Sequence, residues 1–304
     1  MAGSLCITPE KLTREEYMRS ILLATDLAGE TDRAFERAIK LALSLTATLH
    51  ILHVCPPAPL SSKENVTNPP NQGVQDRLNS YLASNKELTN VEHTVTVKEN
   101  REPFAEIIKL ADEVKAELIV MGMHGKSKLR DRFVGTTIEK VIRKGNQPVL
   151  MVKDKPLTEY KNLLLGTDFS AESSQALRLA LTLAPKGTLN LVHFYDIPDT
   201  SIGDKISQYA GDVIETSEKA KLEKFVNDHS TDLKKLPSGQ PNFHYRFAQG
   251  EAYAGLLREA VGVKAELIAI GAHSRPSLMP YKLGGTAHDI LTNPPCDVLV
   301  ANSL

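Results

Sequence analysis

The chain has 304 residues, 41% of them hydrophobic, enough for two cores of ordinary size. Thirty-six Lys and Arg against 37 Asp and Glu leave a formal charge of −1, so no global basic field draws the chain to nucleic acid. No run of 18 apolar residues offers a membrane span, and the first 20 residues lack the apolar stretch of a secretory leader. The three cysteines, Cys6, Cys55 and Cys296, are too far apart for a disulfide framework, so a reducing, cytoplasmic setting is expected.

In chain order, residues 1–18 read as a mobile or loosely docked arm. Short apolar runs with β-branched residues predict buried strands at 20–25, 48–54, 93–98, 117–122 and 148–153. Between the first two, Ala34, Ala38, Ile39, Leu41, Ala42 and Leu45 share one helical face. Pro56, Pro57, Pro59, Pro69 and Pro70 mark a loop after the second strand, either a surface excursion or a lid. Phe104, Ile107, Ile108 and Ala111 form a second stripe behind Pro103, which suits a first helical turn. A polar stretch at 126–134 leads to Gly135-Thr136-Thr137, which opens a helix carrying Ile138, Val141 and Ile142. Residues 154–161 read as a short polar linker, and strands are then expected again at 162–167, 188–194, 242–248, 266–271 and 297–301.

This second series is a copy of the first. Residues 114–119, VKAELI, recur unchanged at 263–268, an offset of 149. The same offset maps Gly122 onto Gly271, His124 onto His273, Gly135 onto Gly284 and Val149 onto Val298. Near the copy starts, Asp26 maps onto Asp168 (offset 142) and His53 onto His193 (offset 140). Extra residues between Asp196 and Gln240 account for the drift. The expected fold is therefore α/β. It consists of two tandem, open, mostly parallel five-stranded sheets of Rossmann-like type with helices on both faces, as domains 19–153 and 161–302.

In such sheets ligands bind at the carboxyl ends of the strands. Three features of the first copy converge there: Asp26 after strand one, Val54 at the end of strand two, and Met121-Gly122 running into Met123-His124-Gly125-Lys126-Ser127. Glycines let backbone N–H groups approach an anion, and Gly135 to Thr137 sit at a helix N-terminus, whose free N–H groups and dipole favour phosphate. Thr136 and Thr137 add hydroxyls, either of which could instead cap the helix. Asp26 is an acceptor for ribose hydroxyls or an adenine edge. Gly125-Lys126-Ser127 is not the tail of a Walker A loop, since position 120 is Val. No G-x-G-x-x-G follows the first strand.

Gly122-x2-Gly125-x9-Gly135-Thr136 resembles the G-2x-G-9x-G-[S/T] signature of the universal stress protein family. The likeness takes in MGMHGKSKLRDRFVGTTIEKVIRKGNQPVLMVK, ILLATD and, in the second copy, GTDFS, and spans nearly the whole chain. It implies a tandem member whose first copy binds ATP, with Mg2+ as an accompanying ion. Thr25, Asp26, Val54, Met121, Gly122, His124, Gly125, Gly135, Thr136 and Thr137 are the implied contacts. It also implies stress response by nucleotide-dependent switching, with at most slow hydrolysis or autophosphorylation. No catalytic base, triad or metal cluster stands out in the sequence. An interaction scaffold with a vestigial site, and a small-molecule or lipid carrier using the second cleft, are the alternatives.

The second copy departs from the signature. Its loop reads Gly271-Ala272-His273-Ser274 and its helix opens Gly284-Gly285-Thr286, with Pro276 and Pro280 between. Its site is expected to be empty, weak or altered. The first copy departs once, with Arg101 where the family has a glycine, as at Gly250. His53 and His193 are expected packed and hydrogen-bonded, His273, His288 and Cys296 fit no ordinary zinc spacing, and Ser170 reads as a helix cap. Each copy ends in an apolar strand, PVLMV and DVLVA, an exposed edge unless covered. Pairing of family members through these strands implies a pseudo-dimer within one chain, with further pairing of chains allowed but not required.

Overall fold

Alternation of apolar runs with amphipathic stretches produces alternating strands and helices. The computed structural model describes residues 18–27, 33–57, 72–123, 136–156, 158–195, 204–233, 246–249, 251–272 and 283–302. In chain order these form β1 (Ser20–Thr25), α1 (Arg33–Leu45), β2 (Thr48–Cys55), α2 (Gln72–Ser84), β3 (His93–Glu99), α3 (Pro103–Glu113), β4 (Leu118–Gly122), α4 (Thr137–Lys144) and β5 (Val149–Val152). The second series is β6 (Asn162–Gly166), α5 (Ala171–Leu183), β7 (Thr188–Tyr195), α6 (Asp204–Asp228), α7 (Ser230–Leu233), β8 (Arg246–Gln249), α8 (Ala252–Gly262), β9 (Leu267–Gly271), α9 (Gly285–Thr292) and β10 (Asp297–Ala301). A short 3-10 turn at Lys86–Asn90 precedes β3.

The strands lie in the order β3-β2-β1-β4-β5-β10-β9-β6-β7-β8. Neighbours are parallel throughout each half, and the two five-stranded blocks join edge to edge where β5 runs antiparallel to β10. Val149, Leu150 and Met151 face Val300, Leu299 and Val298. The repeat offset of 149 maps Leu150 onto Leu299, so a local two-fold axis passes through that pair. Both residues are fully buried. One core lies on the α1 and α5 face of the sheet, and the other lies beneath α3, α4, α8 and α9.

Two readings are corrected. Met18, assigned to the arm, is buried in the first core. The linker is not simply polar, because Tyr160 within it is buried too. The helices α2 and α6 carry no strong apolar stripe, and nothing in the sequence reading placed them. Residues 1–17, the loop prolines Pro59, Pro69 and Pro70, and 242–245 of the expected strand at 242–248 lie outside the described residues. Among the described residues no helix is long and apolar enough to cross a membrane.

Candidate functional site

Within each half the strand order reverses between the first and fourth strands, which opens a crevice at their carboxyl ends. In the first half, register brings the expected residues to that crevice. Ala24 of β1 lies beside Met121 of β4, so Thr25 comes level with Gly122, while Thr25 also pairs with His53 of β2, next to Val54. Asp26 follows directly. His124, Gly125 and Gly135 lie outside the described residues. Thr136 and Thr137 mark the start of α4, and the Thr136 hydroxyl accepts a hydrogen bond from the Glu139 N–H at 3.2 Å. Thr136 therefore caps the helix, which leaves Thr137 as the hydroxyl of that pair not used in the cap.

The turn after β1 is built the same way in both halves. The Thr25 hydroxyl accepts from the Leu27 N–H and the Thr167 hydroxyl from the Phe169 N–H, both at 3.0 Å. Leu27 and Phe169 each take the left-handed conformation, at φ 55° and 65°. Such a backbone is strained for a branched or aromatic residue and often marks a site. Its presence in both halves makes it a property of the fold. The buried rings of His53 and His193 place Nδ1 2.9 and 2.7 Å from the carbonyls of Thr25 and Thr167. A carbonyl only accepts, so Nδ1 carries the proton in each. Both histidines are packed and bonded, as expected.

The glycines separate the halves. A Cβ on Gly271 would stand 2.8 Å from the Glu172 Cβ and 3.2 Å from the Ser173 nitrogen, so packing of α5 against β9 demands a glycine there. A Cβ on Gly122 would meet the Ala34 Cβ at 3.8 Å, an ordinary contact. Among the described residues, nothing in the fold itself requires Gly122 to be glycine.

The second half holds a cleft of about 620 Å³ at the matching place, walled by residues including Phe169, His193, Glu218, Lys221, Leu256 and Thr286. That volume lies in the usual range for small-molecule sites. Sequence reasoning missed Glu218 and Lys221 because it did not place α6. The available signal was the absence of any Gly or Pro from Asp212 to Leu236. Glu218 lies 3.2 Å from His193 Nε2 and accepts from Lys221 at 2.6 Å.

Asp168 is tied into its own helix. Its Oδ1 accepts from the Ser170 N–H at 3.1 Å and from the hydroxyls of Ser170 and Ser173, each at 2.5 Å. The Ser170 hydroxyl in turn caps α5 by accepting from the Ser173 N–H. At α9 the capping residue is Gly284, which offers no side chain. Among the described residues no group of three His, Cys, Asp or Glu is placed to hold a metal ion. Burial first, and then the nearby Asp297 and Asp154, push the Cys296 thiol up to about 12, so it stays a neutral thiol at neutral pH.

The sequence profile of the Universal stress protein family matches residues 18–153 and again 159–302. The chain belongs to the universal stress protein family. A universal stress protein of Staphylococcus saprophyticus is 32% identical over 165 residues, covering 52% of this chain and 97% of that protein. One of Methanocaldococcus jannaschii is 45% identical over 53 residues, which is 17% of this chain and a third of that protein. A solved structure of a Pseudomonas aeruginosa protein of unknown function superposes over 95% of this chain and 94% of its own at a TM-score of 0.68, with 18% identity. It shares the fold. Universal stress proteins have also been solved in complex with cAMP (24% identity, covering 45% of this chain and 98% of that one, TM-score 0.36) and, from Archaeoglobus fulgidus, with dAMP (23%, 44% and 96%, 0.31).

Proposed function

We propose that this universal stress protein binds ATP, with Mg2+ arriving on the nucleotide, in the crevice between β1 and β4. The observation that carries this reading is the register that sets Thr25-Asp26, next to Val54, level with Met121-Gly122 at the carboxyl ends of β1, β2 and β4, together with an unbroken G-x2-G-x9-G-T spacing in the first half alone. Asp26 and Val54 would meet the nucleoside. Gly122, His124, Gly125, Gly135, Thr136 and Thr137 would meet the phosphates through N–H groups and hydroxyls at a helix N-terminus. The work is binding and switching in a cytoplasmic stress response, with turnover no faster than slow hydrolysis or autophosphorylation. Among the described residues Cys55 and Cys296 are thiols outside any disulfide, which suits a reducing compartment. Residues 19–153 and 161–302 act as two domains forming a pseudo-dimer within the chain. Support for this comes from the antiparallel β5–β10 pair.

A second reading concerns the second half. Its 620 Å³ cleft favours a small molecule other than a nucleoside triphosphate, since Ser274 breaks the loop and Asp168 is held by serines. Mass spectrometry of freshly purified, denatured protein, followed by calorimetric titration with Mg-ATP, tests the first reading. One adenine nucleotide per chain is expected. No nucleotide carried along and no heat on titration would overturn it.

A further inference from the structure

Among the described residues, the seam between the halves carries this buried charge cluster on one side of its two-fold axis only: Arg37 of α1, Tyr160 of the linker and Asp297 at the start of β10 are 6%, 2% and 1% exposed. The guanidinium lies 3.8 Å from the Tyr160 ring centroid and donates to the Thr158 carbonyl at 3.1 Å. Its Nε stands 3.4 Å from Asp297 Oδ2, an ion-pair distance, yet finds no hydrogen-bonding partner there, so the attraction is coulombic. Tyr160 donates to the same Oδ2 at 2.6 Å, and burial, reinforced by Asp297, raises its hydroxyl well above the usual range and keeps the proton in place. Asp297 Oδ1 accepts from the N–H groups of Lys153 and Asp154 at 2.8 and 3.1 Å. First half, linker and second half all meet on one carboxylate.

Among the described residues the other side of the axis has no such cluster. The offset of 142 maps Ala34, Ala38 and Ala42 of α1 onto Ala176, Ala180 and Ala184, and so maps Arg37 onto Leu179, which is buried. The offset of 149 maps Asp297 onto Pro148, also buried, and Lys153 onto Asn302. The Asn302 side chain donates to the carbonyls of Ile142 and Gly145 at 3.3 and 3.0 Å. One end of the seam is ionic, and the matching positions at the other, Leu179, Pro148 and Asn302, carry no charge.

We infer that this seam selects an unlike partner: the first half accepts the second half and rejects another copy of itself. If two first halves met through β5, each Arg37 would face Pro148, a buried cation without a carboxylate. If two second halves met through β10, each Asp297 would face Leu179. A charge left buried without its partner costs far more than the intact pair contributes, so both like pairings are penalised. The inference rests on the observed β5–β10 register and holds whether or not nucleotide binds.

A double-mutant cycle in urea on the full chain is the first test. Asp297→Asn, which keeps an acceptor for the two N–H groups, should lower the folded-to-unfolded ratio roughly a hundredfold or more by stranding Arg37. Arg37→Leu, the residue at the matching position, should cost less because Asp297 keeps Tyr160 and two N–H donors. The double variant should recover most of the Asp297→Asn loss, whereas additive losses would overturn the inference. The second test places a protease site at 155–156, cuts it after folding, and mixes the nicked protein with an isotope-labelled preparation. Native mass spectrometry should show only first-with-second pairs in the unaltered seam and like pairs in R37L/D297N. Like pairs at equal share in both would overturn it.

Discussion

Asp26 and Asp168 each follow the first strand of a half, but the sequences that follow them differ. The hydroxyls that hold Asp168 belong to Ser170 and Ser173. The repeat puts Ala28 and Thr31 at those positions in the first half, so one of the two hydroxyls is replaced by a methyl group. Gly271 is demanded by the helix packed on it, whereas among the described residues a Cβ on Gly122 would meet only Ala34, at an ordinary contact distance. In the second half α5 engages both Asp168, through its Oδ1, and Gly271. For the first half we propose that Asp26 and Gly122 serve a ligand. Fold resemblance alone would predict two equal sites, and the loop spacing together with the local partners of each side chain tells them apart.

The largest expected effect breaks the two halves apart. Leu150→Lys puts an ammonium into the fully buried centre of the seam and should cost roughly 3 kcal/mol or more. The two halves should then melt separately and the radius in small-angle scattering should grow, with Leu299→Lys behaving alike. A single cooperative melt at unchanged radius would place their coupling elsewhere.

Nucleotide comes next and sharpens the contrast. Mg-ATP at roughly 100 times its Kd should stabilise the first half by about 2.7 kcal/mol. Gly122→Val and Asp26→Ala should each abolish most of this shift, while Gly271→Val and Asp168→Ala leave it intact. Gly271→Val should instead lower stability by roughly 1–3 kcal/mol through overpacking against α5. Thermal melts of the four variants, with and without ligand, decide the matter. A shift lost equally on both sides would remove the distinction between the clefts.

A smaller effect concerns the serines. Ser173→Ala removes one donor from Asp168 and should cost roughly 1–2 kcal/mol in urea denaturation, with ATP affinity unchanged. The smallest is a pH effect near the seam. The Cys296 thiol titrates near 9.0 when unfolded and at about 12 when folded. Its contribution is complete below pH 9 and is lost as pH rises through the folded value, because the unfolded chain releases its proton first. Roughly 1 kcal/mol should be gone by pH 10, and Cys296→Ala should flatten that slope.

Much of this architecture is legible in the sequence. Buried parallel strands must be apolar on both faces, so they stand out as continuous runs, and observed strand limits fall within a residue or two of those runs wherever both are described. The repeat then orders them. Tyr160 was not legible, because its burial depends on Arg37 and Asp297, which lie over a hundred residues away on either side. Arg37 itself hides within the apolar stripe of α1, where a charged residue reads as solvent-facing. In the site, register makes the meeting of Thr25, Val54 and Gly122 readable from strand ends alone. The role of Asp168 was not, since Ser170 and Ser173 turn it inward through bonds that composition cannot announce.

The pair Leu150–Leu299 on the local axis has a consequence for how such a chain can change. In a homodimer every substitution is made twice, once on each side of the axis, so a charge placed at one end of the seam is also placed at the other. Fusion of the copies ends that doubling. An arginine can arise at position 37 without one at 179, and an aspartate at 297 without one at 148. The same freedom extends to the clefts. One can lose its loop glycine to Ser274 while the other keeps Gly125, without the chain ever passing through a form in which both are impaired.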